Sequence, residues 1–245
     1  MRWAAVVDMA RLVLATGFLL LMILFLSLGT WQLRRADERA LVYEQFVADA
    51  DRPALTAPID SRRLEEYRYR RLELRGYYLS SRQLLLDSMT HQGQVGYHVL
   101  TPFRPLHSRR WLLVNRGWVR ADPNRQVLPQ IDVSETPRVV RGRIDTLPRP
   151  GLRLETSVES GGWPQVVLFP TFDELETRLE EPVFRYQLLL DPDIAYGFVR
   201  DWRPRTMTPE RHRGYALLWF SFAGVLVLMG VVLSLHSTRG RDAQS

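Results

Sequence analysis

Charge is absent from two long stretches of this chain and dense between them. From Leu12 to Leu28 no residue is charged, and Gly29, Thr30 and Trp31 extend the run to about 20 residues, the length a helix needs to cross a hydrocarbon core. Trp31 closes the run with an indole, a ring favoured at membrane interfaces. A second uncharged run covers Tyr215 to Leu235. Segments apolar all round predict membrane anchors, not buried core helices. A cleavable leader would call for an A-x-A-like arrangement after the apolar region, and Ser27-Leu28-Gly29 matches it poorly, so the first run reads as an uncleaved anchor. In the second, Ala216, Ala223 and Gly230 recur every seven residues on one helical face, where a neighbour could approach closely; the first anchor offers Ala15 and Gly17.

Between the runs the period changes. Arg34 to Ala50 reads as a helix continuing out of the membrane, with Ala36, Ala40, Tyr43 and Val47 spaced for one face and Pro53 and Pro58 ending it. Tyr67 to Tyr78 then alternates large and charged side chains, with one slip at the paired arginines that predicts a bulge. Further strands are expected at Gln83 to Asp87, Tyr97 to Phe103, Trp111 to Asn115, Val139 to Ile144, Val166 to Phe169 and Phe184 to Leu190, with turn residues such as Gly93, Pro105, Pro123 and Pro148 between them. One helical pattern stands out, at Phe172 to Leu179. The fold class is therefore membrane-anchored α+β: two transmembrane helices flank a mostly antiparallel, β-rich extramembrane domain, an open sheet or partly closed barrel with a small helical element. The boundaries are an N-terminal tail at 1–11, a first transmembrane helix at 12–31 and a juxtamembrane helix and linker at 32–58. The β-rich soluble domain follows at 59–208, then a juxtamembrane turn and second transmembrane helix at 209–235 and a C-terminal tail at 236–245.

Composition narrows the chemistry. All 33 basic residues are arginine, since lysine is absent, and the net charge is +6. Such a balance suits nucleic acid, anionic headgroups or carboxylate-bearing ligands, but the arginines are interspersed with acids and form no basic helix, which argues against nucleic acid. Absence of cysteine excludes disulfides, thiolate metal sites and thiol redox chemistry. Arg2, Arg11, Arg239 and Arg241 lie in the tails, whereas Arg34, Arg35, Arg39, Arg203, Arg205, Arg211 and Arg213 crowd the inner flanks. That local count would hold the domain in the cytoplasm, but long domains translocate largely regardless of charge, so charge alone leaves the orientation open.

No G-x-S-x-G elbow, glycine-rich phosphate loop, H-E-x-x-H helix or acidic metal loop is present; no residue is assigned a catalytic role and an enzyme is not expected. Of the five histidines, His91, His98, His107 and His236 read as ordinary satisfied or solvated imidazoles. His212 differs in position, lying about one turn before the second anchor with Tyr215, Ala216 and Trp219 at spacings of three, four and seven. An imidazole there suits an axial ligand to a haem iron, with Ala216 leaving room for a flat ring; taken bare, an interfacial histidine is more often a snorkelling headgroup contact. Arg203, Arg205, Arg211 and Arg213 could hold haem propionates or lipid phosphate. Asn115-Arg116-Gly117-Trp118 reads first as a strand running into a turn, with Arg116 and Trp118 as a second reading for a binding surface.

Four stretches together resemble the Surfeit locus protein one family of cytochrome c oxidase assembly factors. They are Gly29-Thr30-Trp31-Gln32-Leu33-Arg34-Arg35, Gly96-Tyr97-His98-Val99-Leu100-Thr101-Pro102, Val114-Asn115-Arg116-Gly117-Trp118-Val119 and Pro209-Glu210-Arg211-His212-Arg213-Gly214-Tyr215-Ala216 continuing to Trp219-Phe220. The resemblance spans nearly the whole chain; one departure is Leu218, where members of that family commonly carry glutamine. It implies an accessory protein of the respiratory chain that helps insert haem A into the large subunit of a haem-copper oxidase, with haem A synthase as a further partner. It also implies an inner-membrane location with the domain in the periplasm or intermembrane space. On that resemblance His212 is the haem ligand candidate, supported by Tyr215, Ala216, Trp219, Arg211 and Arg213, and no other metal is expected. Trp31, Gln32, Asn115, Arg116 and Trp118 are the interaction candidates. The alternative class is a scaffold for oxidase subunits that binds no cofactor.

Overall fold

The computed structural model describes residues 2–49, 52–148, 162–204 and 206–242. Its helices are α1 (Arg2–Ala48), α2 (Leu64–Tyr67), α3 (Phe172–Leu179) and α4 (Pro209–Asp242). Its strands are β1 (Arg71–Tyr78), β2 (Leu84–His91), β3 (Gln94–Pro105), β4 (Trp111–Arg120), β5 (Arg138–Asp145), β6 (Gln165–Val167) and β7 (Val183–Leu190). They form two compact units, one from residues 1–44 with 205–245 and one from residues 45–204.

The first unit is a pair of antiparallel helices, each with a stretch long and apolar enough to cross a membrane. Two hydroxyls in these stretches turn back onto their own helix, as an apolar surrounding favours: Thr30 Oγ1 donates to the carbonyls of Leu26 and Ser27, both at 3.0 Å, and Ser221 Oγ to that of Leu217 at 2.8 Å. Residues facing the partner follow a three-four repeat, the coiled-coil spacing: Phe18, Met22, Phe25, Gly29, Gln32 and Ala36 on α1, and Pro209, His212, Ala216, Trp219, Ala223, Leu226 and Gly230 on α4. Phe25 stacks 5.9 Å from Trp219 and 5.6 Å from Phe222. Gly29 is needed for close approach, since a Cβ there would lie 2.6 Å from the Phe220 ring, and Phe18 fills the space beside Gly230. The small-residue stripe of α4 thus meets α1, but through Phe18 and Gly29. Ala15, one turn beyond Phe18, is exposed, and Gly17 lies one position off the seam with open space around it.

In the second unit the sheet runs β1-β5-β7-β4-β3-β2-β6, and β1 also pairs with β3. That extra pairing closes β1, β5, β7, β4 and β3 into a ring, a small barrel, with β2 and β6 extending one side. Pairings are antiparallel except β4 with β7 and β2 with β6. Strand β4 is apolar on both faces because it has a core on each side: Leu112 and Val114 join Leu72, Phe103, Val140, Tyr186 and Leu188, while Trp111 and Leu113 join Leu84, Leu86, Leu175 and Leu179 beneath α3. Helix α3 starts at a reciprocal capping box between Thr171 and Glu174 and presents Leu175 and Leu179 to the second core. A two-residue turn at Gln92 (φ 49°) and Gly93 (φ 77°) joins β2 to β3; positive φ at both positions matches the right-handed twist of a hairpin.

Three local expectations are corrected. The segment from Tyr67 to Tyr78 is a strand only from Arg71; Leu64–Tyr67 is helical, and Tyr69 (φ 67°) breaks the chain where a bulge is expected. The end of α1 buries Phe46 and leaves Val47 exposed, because the Phe46 ring meets Tyr69 edge-on at 5.1 Å and the Arg143 guanidinium at 4.1 Å. Asn115-Arg116-Gly117 is a bulge inside β4 and not a turn after it: His98 pairs with Trp118 and Leu100 with Asn115, so two residues oppose one. Gly117 (φ 113°) supplies the backbone shape, and its N–H donates to Asn115 Oδ1 at 3.2 Å.

The bulge turns Arg116 into the protein interior, where it is 2% exposed. Its guanidinium donates to Gln83 Oε1 (2.9 Å) and to the carbonyls of Ile131 (2.7 Å), Asp132 (3.2 Å) and Tyr196 (2.8 Å), and lies 5.0 Å from the Phe198 ring. Burial pulls its pKa down to about 10, so it is cationic at neutral pH. One side chain thereby ties two long connections to the barrel. Arg116→Met should destabilise the full chain by about 3 kcal/mol, since it strands several buried acceptors, and Arg116→Lys should recover little of this because an ammonium lacks the planar fork. Thr171→Ala should cost roughly 1 kcal/mol through loss of the α3 cap. Unfolding in detergent followed by near-ultraviolet circular dichroism measures all three.

Candidate functional site

Helix α4 starts where the sequence makes a start favourable. Pro209 has the fixed φ and missing N–H that suit a first helical position, and Glu210 places a negative charge at the positive end of the helix. The His212 amide donates to the Thr208 carbonyl at 3.4 Å, so His212 lies in the first turn of α4 and its side chain is fixed to a continuous helix. Segment 209–214, expected as a turn, is helical.

The three-four repeat then carries His212 onto the seam, opposite Gln32 of α1. His212 Nδ1 and Gln32 Oε1 are 2.7 Å apart, and the ring is partly buried. An amide oxygen only accepts, so Nδ1 carries the proton and donates it. The neutral ring then has a bare lone pair on Nε2, the state an imidazole needs to bind a metal. A donated second ring N–H of this kind orients metal-binding histidines generally. Among the described residues no group of three or more His, Cys, Asp or Glu gathers to hold a bare metal ion, so the donor set offered here is a single imidazole. A macrocyclic iron, which supplies its other ligands itself, fits that donor set.

The remaining candidates divide by position. Tyr215 is 46% exposed and Trp219 partly buried against Phe25, so both line the surface of the helix pair near His212. Ala216 is 1% exposed: the space its small side chain leaves is filled by the helix pairing and is not an open slot. Arg211 and Arg213 are exposed on either side of His212. Arg203 belongs to the other unit, where it pairs with Asp201 at 3.0 Å. Arg205 lies outside the described residues. Trp31 is half exposed, with the Arg35 guanidinium 6.0 Å from its ring. Asn115, Arg116 and Trp118 are inside the second unit: Asn115 Nδ2 donates to Gln187 Oε1 at 3.0 Å and contacts His98 Nδ1 at 3.2 Å, and Trp118 Nε1 donates to the Met89 carbonyl at 2.9 Å. They hold the fold and present no surface.

Pairing of Gln32 with His212 is the feature that reading the residues one run at a time does not find. The signal is present in the sequence as matching three-four repeats on both anchors, which, set antiparallel with Phe25 against Trp219, bring residue 32 to residue 212 seven positions away on each helix.

Comparison with known proteins agrees with the order and span of these elements. The SURF1-like protein of Rickettsia felis is 23% identical over 222 residues, covering 85% of this chain and 91% of that protein. Surfeit locus protein 1 of Takifugu rubripes is 27% identical over 119 residues, covering 42% of this chain and about half of the relative, 48%. The cytochrome oxidase assembly protein SHY1 of Saccharomyces cerevisiae is 29% identical over 118 residues, 44% of this chain and 28% of that protein. The model of the SURF1 family matches residues 19–224, which takes in most of α1, the barrel, the start of α4 and both Gln32 and His212, and the chain belongs to that family.

Proposed function

We propose that this protein is an accessory factor in the biogenesis of a haem-copper oxidase, that it binds haem A transiently through His212, and that it assists transfer of the haem to the large oxidase subunit. The carrying observation is the 2.7 Å contact between His212 Nδ1 and Gln32 Oε1 at the head of a long apolar helix, which in the neutral ring places the proton on Nδ1 and leaves Nε2 for a metal. A haem is an apolar plate with anionic propionates and an iron that accepts an axial nitrogen. Tyr215 and Trp219 supply apolar surface near the imidazole, and Arg211 and Arg213 supply guanidinium donors for the propionates. The name of the yeast relative, a cytochrome oxidase assembly protein, supports the same class of role. On this reading the helices span a bacterial or mitochondrial inner membrane and the barrel faces the periplasm or intermembrane space. Its part is to hold and hand over, not to catalyse.

A scaffold that docks oxidase subunits and binds no haem is the second reading. It is favoured by one observation: the seam around Ala216 is closed, so no preformed slot adjoins His212.

Full-length protein purified from cells that make haem A should carry a Soret band, and His212→Ala should remove most of it. Arg211→Gln combined with Arg213→Gln should weaken haem binding roughly tenfold without abolishing axial ligation, since each lost charge-assisted bond counts for only a kcal/mol or so. A Soret band identical in His212→Ala would reject the ligand. Loss of oxidase activity on deletion of the gene, with no pigment ever co-purifying, would establish the scaffold reading instead.

A further inference from the structure

The family and the helix pair account for His212 but give Gln32 no role beyond packing. We propose that Gln32 is a positioning residue: by accepting the proton of His212 Nδ1 it fixes the ring in the tautomer whose Nε2 can bind iron, and by being a neutral amide it keeps that ligand weak enough to release its cargo. The second half rests on the haem reading above; the first stands on the hydrogen bond alone.

Left to itself in water, a neutral histidine ring prefers its proton on Nε2. That form offers only Nδ1 to a metal, a nitrogen crowded by the residue's own backbone. At His212 the amide oxygen 2.7 Å from Nδ1 reverses the preference. The two residues are 180 positions apart in the chain and meet because both occupy the seam. Both side chains are partly buried there, flanked along the seam by the buried Gly29 and Ala36 on α1 and Pro209 and Ala216 on α4.

What Gln32 donates to the chemistry is also set by its charge. A carboxylate in the same place would draw the Nδ1 proton toward itself, make the imidazole more basic and strengthen its bond to ferric iron over ferrous. An amide polarises the ring only modestly. For a protein that must surrender its haem, the weaker acceptor is the useful one.

The test uses the full chain in lipid nanodiscs with histidine labelled in nitrogen-15. Without any haem, two-bond nitrogen-proton correlation should show His212, identified by its disappearance in His212→Ala, protonated at Nδ1. Gln32→Leu should move the proton to Nε2 or mix the two forms, and Gln32→Glu, which keeps the acceptor, should retain the Nδ1–H form. Titrated with hemin as the probe, Gln32→Leu should bind about 10- to 100-fold more weakly than wild type, while Gln32→Glu should bind at least as tightly and show a lower ferric-ferrous midpoint potential. A wild-type ring protonated at Nε2, or a tautomer untouched by Gln32→Leu, overturns the proposal. So does a potential unchanged in Gln32→Glu, for the part concerning release. If the tautomers behave as expected but hemin binds His212→Ala as well as wild type, the haem reading fails while control of the ring by Gln32 holds.

Discussion

A histidine set into an apolar helix seam must have its ring N–H answered by an acceptor, and Gln32 is the acceptor that answers it. Phe18 beside Gly230, Phe25 against Trp219 and Gly29 beneath Phe220 are contacts of shape. A hydrogen bond between single partners on opposite helices adds a directional constraint to them. As a buried polar residue fixes register in a coiled coil at some expense of stability, so this pair defines which residue of α1 faces which residue of α4. The bond that sets the register is therefore the same bond that sets the tautomer.

The barrel solves the opposite problem, holding many long connections on a short ring of strands. Its interior is filled by Leu72, Phe103, Tyr186 and Leu188, so among the described residues the ring encloses packed side chains and not a ligand chamber. Around the bulge of β4 several buried polar groups are answered within the second unit. Asn115 meets Gln187 and His98, Gln187 donates to the Thr146 carbonyl at 2.6 Å, and Arg116 spends its donors on Gln83 and three backbone carbonyls. Such networks rigidify a domain and leave its outer surface as the part available to other molecules. In a protein that assembles others, a stiff domain of this kind can present a constant face.

How much of this was legible in the sequence depended on whether one period or two had to be read. Uncharged length alone sufficed for the two apolar helices, and alternation with turn residues for seven strands and for α3, because those signals are local. Ring closure was not legible, since the β1–β3 pairing joins Gly76 to Pro105 without any local mark. Nor was the bulge, where Asn-Arg-Gly spells a turn by composition but pairing with β3 carries the strand through. Arg116 and Trp118 suggest a binding surface by type, whereas the bulge turns Arg116 inward and Trp118 joins the core beneath α3. His212 was conspicuous by position. Its partner required aligning two distant repeats, and Gln32 by itself is an ordinary polar residue after a tryptophan.

If haem is passed onward as proposed, transfer imposes a final requirement that connects these parts. A carrier with a strong axial ligand and an enclosing pocket would bind haem well and yield it slowly, because dissociation is where most differences in affinity appear. Here one imidazole polarised by an uncharged amide offers a single bond, and Ala216 packed into the seam denies the macrocycle an enclosing slot. Both features lower the depth of the bound state. Their common origin is the close approach of α1 to α4, which needs small residues in the seam and thereby removes the space a resident cofactor would occupy. On the proposed haem reading, tight helix pairing and loose cargo binding are consequences of one arrangement, and a protein that passes haem onward is better served by it than by a deeper pocket.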